Sequence, residues 1–184
     1  MTVPNLITTV RIILSPIFII FVINDQLQSA LIVFAVCCLT DGLDGMVARL
    51  FGQKSKLGAY LDPIADKILL VATFVALSVR GFFPPWLTVT VIARDILILL
   101  GVVVLFFSRL EFATIKPSIL SKITTCLQFA SVIAVLGKGI LFTFPSRTYP
   151  FLFYATALFT IISGLHYMHY WFRLMGEGTP PPKR

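Results

Sequence analysis

The chain is written in long apolar runs separated by short polar ones. Crossing a bilayer as a helix takes about 20 largely apolar residues. Six segments reach that length: Asn5–Asn24, Leu27–Ala48, Tyr60–Val79, Pro85–Phe107, Ile119–Leu136 and Tyr149–Met175. The last is long enough to tilt in the membrane or project from it. Residues 1–175 therefore read as one domain, an all-α integral membrane protein with six transmembrane helices in one bundle. The tail 176–184, "GEGTPPPKR", reads as disordered. The start, "MTVPNLITTVRIILSPIFIIFVIN", lacks a basic n-region and a small-x-small cleavage site, so it is expected to remain as the first span. No repeat or low-complexity stretch interrupts the pattern.

Composition agrees with that pattern. Of the 184 residues, 58% are hydrophobic and only 12% charged, against about 25% charged in a soluble domain. The net charge of +7 would suggest nucleic acid in a soluble protein. Here the cations flank apolar runs, so loop topology and membrane lipid headgroups account for them, and no nucleic-acid partner is expected. The N-terminal side, the loops after spans 2 and 4 and the tail carry nine cations: Arg49, Lys54, Lys56, Arg109, Lys116, Lys122, Arg173, Lys183 and Arg184. The opposite side carries three, Arg80, Lys138 and Arg147. This bias places both termini and the 49–59 loop in the cytoplasm, as for a protein of the cytoplasmic (inner) membrane. Cys37, Cys38 and Cys126 lie in apolar stretches without metal spacing and read as small core residues, not disulfides.

The acids break the pattern. Five of the eight, Asp41, Asp44, Asp62, Asp66 and Asp95, fall within or at the edge of spans, where each costs about 2.5–3.5 kcal/mol if it faces lipid at the bilayer centre. They must face a polar cavity instead. Residues 41, 44, 45 and 48 are spaced i, i+3, i+4, i+7, and 58, 62 and 66 are spaced i, i+4, i+8, so each set shares a helix face. An antiparallel return through a loop of about nine residues would bring two carboxylates from each helix together near the cytoplasmic ends. Four bare carboxylates would repel one another. Bound divalent cations resolve the conflict, and an all-oxygen donor set suits Mg²⁺, Mn²⁺ or Ca²⁺ rather than Zn²⁺. Gly45, Ala48 and Gly58 let a bulky anion approach the backbone, and Arg49 can clamp a phosphate. Metals, small residues and an arginine are the parts of a phosphoryl-transfer site. The plainer alternative is structural pairing of the acids with Arg11, Lys67 and Arg94, with glycines placed for helix packing.

The stretch Thr40–Lys67, "TDGLDGMVARLFGQKSKLGAYLDPIADK", resembles the signature of the CDP-alcohol phosphatidyltransferases, D-x2-D-G-x2-A-R-x8-G-x3-D-x3-D. It matches at every fixed position: Asp41, Asp44, Gly45, Ala48, Arg49, Gly58, Asp62 and Asp66. The resemblance implies the family's six-helix fold over essentially the whole chain, commonly as a homodimer. It implies displacement of CMP from CDP-diacylglycerol by an alcohol hydroxyl, with two divalent cations, Mg²⁺ or Mn²⁺, as cofactors. Carried over residue by residue, Asp41, Asp44 and Asp62 hold the metals, and Asp66 joins the metal site and acts as the general base. Gly45, Ala48, Arg49 and Gly58, together with the ligand Asp41, contact the CDP moiety.

The acceptor must be read elsewhere. "VPNLITTVRI" and "VIARDILILL" resemble the branch that makes phosphatidylglycerophosphate and cardiolipin. Phosphatidylglycerophosphate synthases usually carry a second Arg-Glu after the span-4 arginine, whereas Arg94-Asp95 is followed here by apolar residues. Pro117, Ser121, Lys122 and Thr125 in "KPSILSKITTCLQ", with "SGLHYMHY" at Ser163–Tyr170, resemble cardiolipin synthases of the eukaryotic type. The expected acceptor is phosphatidylglycerol, with glycerol-3-phosphate as the alternative, and Arg94 and Lys122 are the candidate acceptor contacts. Arg94 can equally form a local pair with Asp95, and Lys122 can simply follow the charge bias of its loop.

Lys67 points about 100° away from Asp66 on a helix, which favours a structural pair or snorkelling over catalysis. Arg11 suits contact with a lipid phosphate or a carboxylate. His166 and His169, at i and i+3, lack a nearby third metal ligand and read as interfacial, beside an aromatic belt of Tyr167, Tyr170 and Trp171. A cation transporter or a non-catalytic lipid-binding protein can also hold acids in a membrane. The former would scatter them across depth or repeat them in a second half, and an intact Asp66 argues against the latter.

Overall fold

The computed structural model of the chain describes residues 3–51, 56–107, 119–141, 144–145 and 147–176, with side chains at 13–40, 67–101, 119–141, 144–145, 147–169 and 171–172. The described residues form six helices: α1 (Val3–Ile23), α2 (Leu27–Phe51), α3 (Lys56–Val79), α4 (Pro85–Phe107), α5 (Ile119–Leu136) and α6 (Thr148–Gly176). A helix satisfies its own backbone donors and acceptors, which is what long apolar runs require away from water. The six helices coincide with the six predicted segments. The main departure is at the motif, where α2 continues past Ala48 to Phe51 and α3 already begins at Lys56. Charges such as Arg49 end an apolar run but do not interrupt helical hydrogen bonding.

Among the described residues, two helical stretches are long and apolar enough to cross a membrane, Ile119–Leu136 and Thr148–His169. Shorter apolar helix covers Ile13–Ile23, Leu27–Thr40 and Lys67–Val79. A buried core that includes Phe18, Phe34, Phe74, Leu77 and Leu87 is accompanied by buried polar groups and by many exposed apolar ones. Thr73, Thr88, Arg94, Asp95, Thr124, Gln128 and Ser131 are buried, while Ile13, Ile32, Leu39, Val79, Val89, Phe151 and Phe172 are exposed.

The chain divides into two compact units, Met1–Pro85 with Val132–Pro145 and Trp86–Ser131 with Ser146–Arg184. In the first, α1 packs against both α2 and α3. Its aromatic contacts are Phe18 on Phe34, with ring centroids 5.9 Å apart, and Phe74 on Phe83 at 4.8 Å. Both α1 and α3 end in a Schellman motif. The Gln26 amide donates to the Phe21 carbonyl and that of Asp25 to Val22 after α1, while Phe82 donates to Leu77 and Gly81 to Ser78 after α3. The left-handed residue is Asp25 at φ 57° in one and Gly81 at φ 75° in the other. Arg80, the residue before Gly81, donates to the Asp25 carboxylate, tying the two helix ends together.

In the second unit, Trp86 at the start of α4 stacks on Tyr154 of α6, with centroids 5.2 Å apart and planes 18° from parallel. Further along the same helices, Gly101 lies directly against the Trp171 indole. A hydroxyl seam joins α5 to α6. Thr124 donates to its own helix at Leu120 (2.9 Å) and across to the Phe159 carbonyl (3.1 Å), and Ser131 shares a 2.8 Å hydrogen bond with Thr156.

Candidate active site

Both halves of the aspartate motif lie on continuous helix. Asp41, Asp44, Gly45, Ala48 and Arg49 belong to α2, and Gly58, Asp62 and Asp66 belong to α3. The helical register on which the two stripes depend therefore holds along each backbone, and Pro63 does not interrupt α3. The side chains of these eight residues, and that of Arg11, lie outside the described residues. At the edge of the motif, the Thr40 hydroxyl turns back on its own helix and donates to Val36 and Cys37 carbonyls at 2.8 and 2.9 Å. Lys67, the residue after Asp66, is half-buried and its Nζ is withdrawn from solvent, which does not fit snorkelling to water.

A second polar centre is built where α4, α5 and α6 meet. Arg94 lies in the middle of α4, 7% exposed. Its Nη1 donates to the Asp95 carboxylate at 2.7 Å, and Nη2 donates to Ser121 Oγ at 2.6 Å and Ser163 Oγ at 3.3 Å. The arginine stem runs past Gly164, where an added Cβ would sit 3.7 Å from Cγ. An isolated guanidinium cannot be buried at tolerable cost, so an adjacent carboxylate and two hydroxyls take up its charge. Its Nε is buried without a hydrogen-bond partner among the described residues.

The local Arg94–Asp95 pair is therefore present. Lys122, the other candidate acceptor contact, is exposed, although it directly follows Ser121. The structure brings Arg94 to Ser121 and Ser163, which lie far from it in the chain, within the segments Lys116–Gln128 and Ser163–Tyr170. His166 and His169 are exposed, and His166 makes an edge contact with Tyr167 at 6.4 Å between ring centroids. Among the described residues no group of three His, Cys, Asp or Glu is arranged to hold a metal. Gln128 is fully buried on α5, and a lone amide in an apolar run gives no periodic signal that would mark it in the sequence.

Comparison with known proteins agrees with the motif. A family model, CDP-alcohol phosphatidyltransferase, matches residues 1–171. The chain is 34% identical over 185 residues to a cardiolipin synthase (CMP-forming) of Rattus norvegicus and 35% identical over 185 residues to that of Homo sapiens, covering 92% of this chain in each case. It spans 61% of the length of both relatives. It is also 36% identical over 140 residues to the CDP-diacylglycerol–glycerol-3-phosphate 3-phosphatidyltransferase of Aquifex aeolicus, covering 73% of this chain and 75% of that protein. With eight signature residues in place on two helices and a family match over nearly its whole length, the chain belongs to the CDP-alcohol phosphatidyltransferase family.

Proposed function

We propose that the chain is a membrane-embedded phospholipid synthase that transfers the phosphatidyl group of CDP-diacylglycerol to phosphatidylglycerol and releases CMP, glycerol-3-phosphate being the alternative acceptor. Family membership and the complete signature support the reaction. The names of the rat and human relatives, and of the Aquifex protein, support the two acceptors in turn.

The proposed fold is one six-span domain over residues 1–175, with both termini and the site on the cytoplasmic side, working as a homodimer. The many exposed isoleucines, leucines and valines and the hydroxyls satisfied in helix seams support a membrane setting, because lipid rewards an exposed isoleucine and a helix seam satisfies a buried serine.

Asp41, Asp44, Asp62 and Asp66 provide a donor set of carboxylates on two continuous helices, which fits Mg²⁺ or Mn²⁺. Two such cations, when bound, supply neutralisation of the pyrophosphate and of the departing CMP. The chain's own residues do the rest. Gly45, Ala48 and Gly58 admit the nucleotide to the helix backbones and Arg49 holds a phosphate. Asp66 takes the proton from the acceptor hydroxyl as its oxygen bonds to the phosphatidyl phosphorus and the bond to CMP breaks.

The choice of acceptor rests on one observation, that the buried Arg94–Asp95 pair is followed by apolar residues and not by a second Arg-Glu. A phosphate dianion calls for uncompensated cationic charge. The buried centre on α4 is neutralised within itself, which suits the single negative charge of a phosphodiester better. Purified protein incubated with CDP-diacylglycerol and each acceptor in turn tests the assignment. CMP release with phosphatidylglycerol is the expected result, and release with glycerol-3-phosphate alone would overturn it.

A further inference from the structure

The hydroxyls between α5 and α6 are satisfied one by one. Besides the contacts of Thr124, the Ser131 and Thr156 hydroxyls lie 2.8 Å apart. One donates to the other, while the other donates to a carbonyl of its own helix, Leu127 at 2.9 Å or Leu152 at 2.8 Å. Thr160 donates to the Thr156 carbonyl at 2.6 Å. Gln128 is different. It is fully buried, and neither Nε2 nor Oε1 has a hydrogen-bond partner among the described residues. By helical register it stands between Thr124 and Ser131, the two α5 residues that bond across to α6, so it belongs to the same seam.

A primary amide has two donors and a doubly accepting oxygen. Leaving it dry in an apolar stretch is costly, and a methionine of similar length would fill the space without that cost. The hydroxyls around it are each engaged on a carbonyl or another hydroxyl. Their protons are therefore spent elsewhere, and a small neutral group that both donates and accepts would satisfy both ends of the amide. The Arg94–Asp95 pair lies beside Ser121 and Ser163, about 10 Å along α5 from Gln128 at 1.5 Å per residue, so a neutral guest suits the amide better than a phosphate or a carboxylate.

We propose that the Gln128 amide is a hydroxyl-binding site inside the α5–α6 seam, holding the O–H of a trapped water or of an alcohol. The site stands apart from the choice of acceptor; only the alcohol source rests on the synthase reading. The direct test is a structure of the full chain, crystallised from a lipidic mesophase at a resolution that shows internal waters, with and without phosphatidylglycerol. Density within hydrogen-bonding distance of the amide in both crystals identifies water, and density only with phosphatidylglycerol identifies an alcohol. No density in either, in maps that show other buried waters, overturns the proposal. Because this readout uses the unaltered chain, it holds whether or not a variant folds and whether or not CMP is released. Kinetics of Gln128→Met separate the sources again. An alcohol guest raises the KM for phosphatidylglycerol about tenfold, as loss of a contact worth about 1.4 kcal/mol would, and leaves that for CDP-diacylglycerol unchanged. A water guest leaves both unchanged.

Discussion

Gly101 on α4 lies against the Trp171 indole on α6, and a Cβ added to the glycine could be seated only if the end of that side chain moved. The glycine is needed for space here, and not for backbone freedom, since it sits within regular helix. Gly101→Ala is expected to cost about 1–3 kcal/mol through overpacking, read as a lower unfolding midpoint in detergent. Shrinking the partner should remove most of that cost, so Gly101→Ala in a Trp171→Leu background should be nearly neutral. If the two changes simply add, the close approach does not exist in the folded protein.

Arg94 is held by a carboxylate on its own helix and by hydroxyls from two others. Asp95→Ala leaves a buried guanidinium without its counter-charge, and about 3–5 kcal/mol of destabilisation is expected. Asp95→Asn keeps an accepting oxygen while exposing the positive charge electrostatically. In that variant, kcat/KM for glycerol-3-phosphate should rise relative to phosphatidylglycerol by on the order of tenfold, about 1.4 kcal/mol. An unchanged ratio would remove the charge argument for the acceptor.

The helices were legible because each apolar run is long and bounded by polar residues; α4 and α5 begin and end where hydropathy places them, at Pro85, Phe107, Ile119 and Leu136. The helices that carry the aspartates were legible because spacing of three and four residues has a single meaning on a helix, and α2 and α3 run continuously through those positions. Tertiary partners were not. Ser121 and Ser163 lie 27 and 69 residues from Arg94, and nothing in a serine's neighbours along the chain tells which arginine it will meet. Burial was also hidden: Ser121 and Lys122 are adjacent, yet one meets Arg94 and the other is exposed, a difference of 100° of helical phase that matters only once α4 and α6 are in place.

The two Schellman ends separate backbone strain from packing. Gly81 has φ 75° and open space where a Cβ would go. Gly81→Ala therefore tests conformation alone and should cost about 1–2 kcal/mol. Asp25 adopts the same conformation with a side chain, offset by its bond to Arg80. Asp25→Gly relieves the strain and loses the pair, so it should be close to neutral, since an exposed pair is worth about 0–1 kcal/mol. Asp25→Ala loses the pair and keeps the strain, and should be the less stable of the two. The order of the two unfolding midpoints decides the matter.

Asp66 carries the last prediction, because it separates catalysis from metal binding. On α3 it lies one turn beyond Asp62 in the register of the motif. In the proposed role of base, it must be ionised to receive the acceptor proton, and an amide in its place cannot do so. Asp66→Asn should therefore reduce CMP release by at least about 10²-fold, the lower bound for losing a positioned base, with the unfolding midpoint near that of the parent chain. Chelation should abolish release from the parent chain, and Mg²⁺ or Mn²⁺ should restore it. Raising the metal concentration should not rescue Asp66→Asn if proton transfer is what was lost. Full rescue by excess metal would instead make Asp66 a ligand only, and the proton would have to leave by another group.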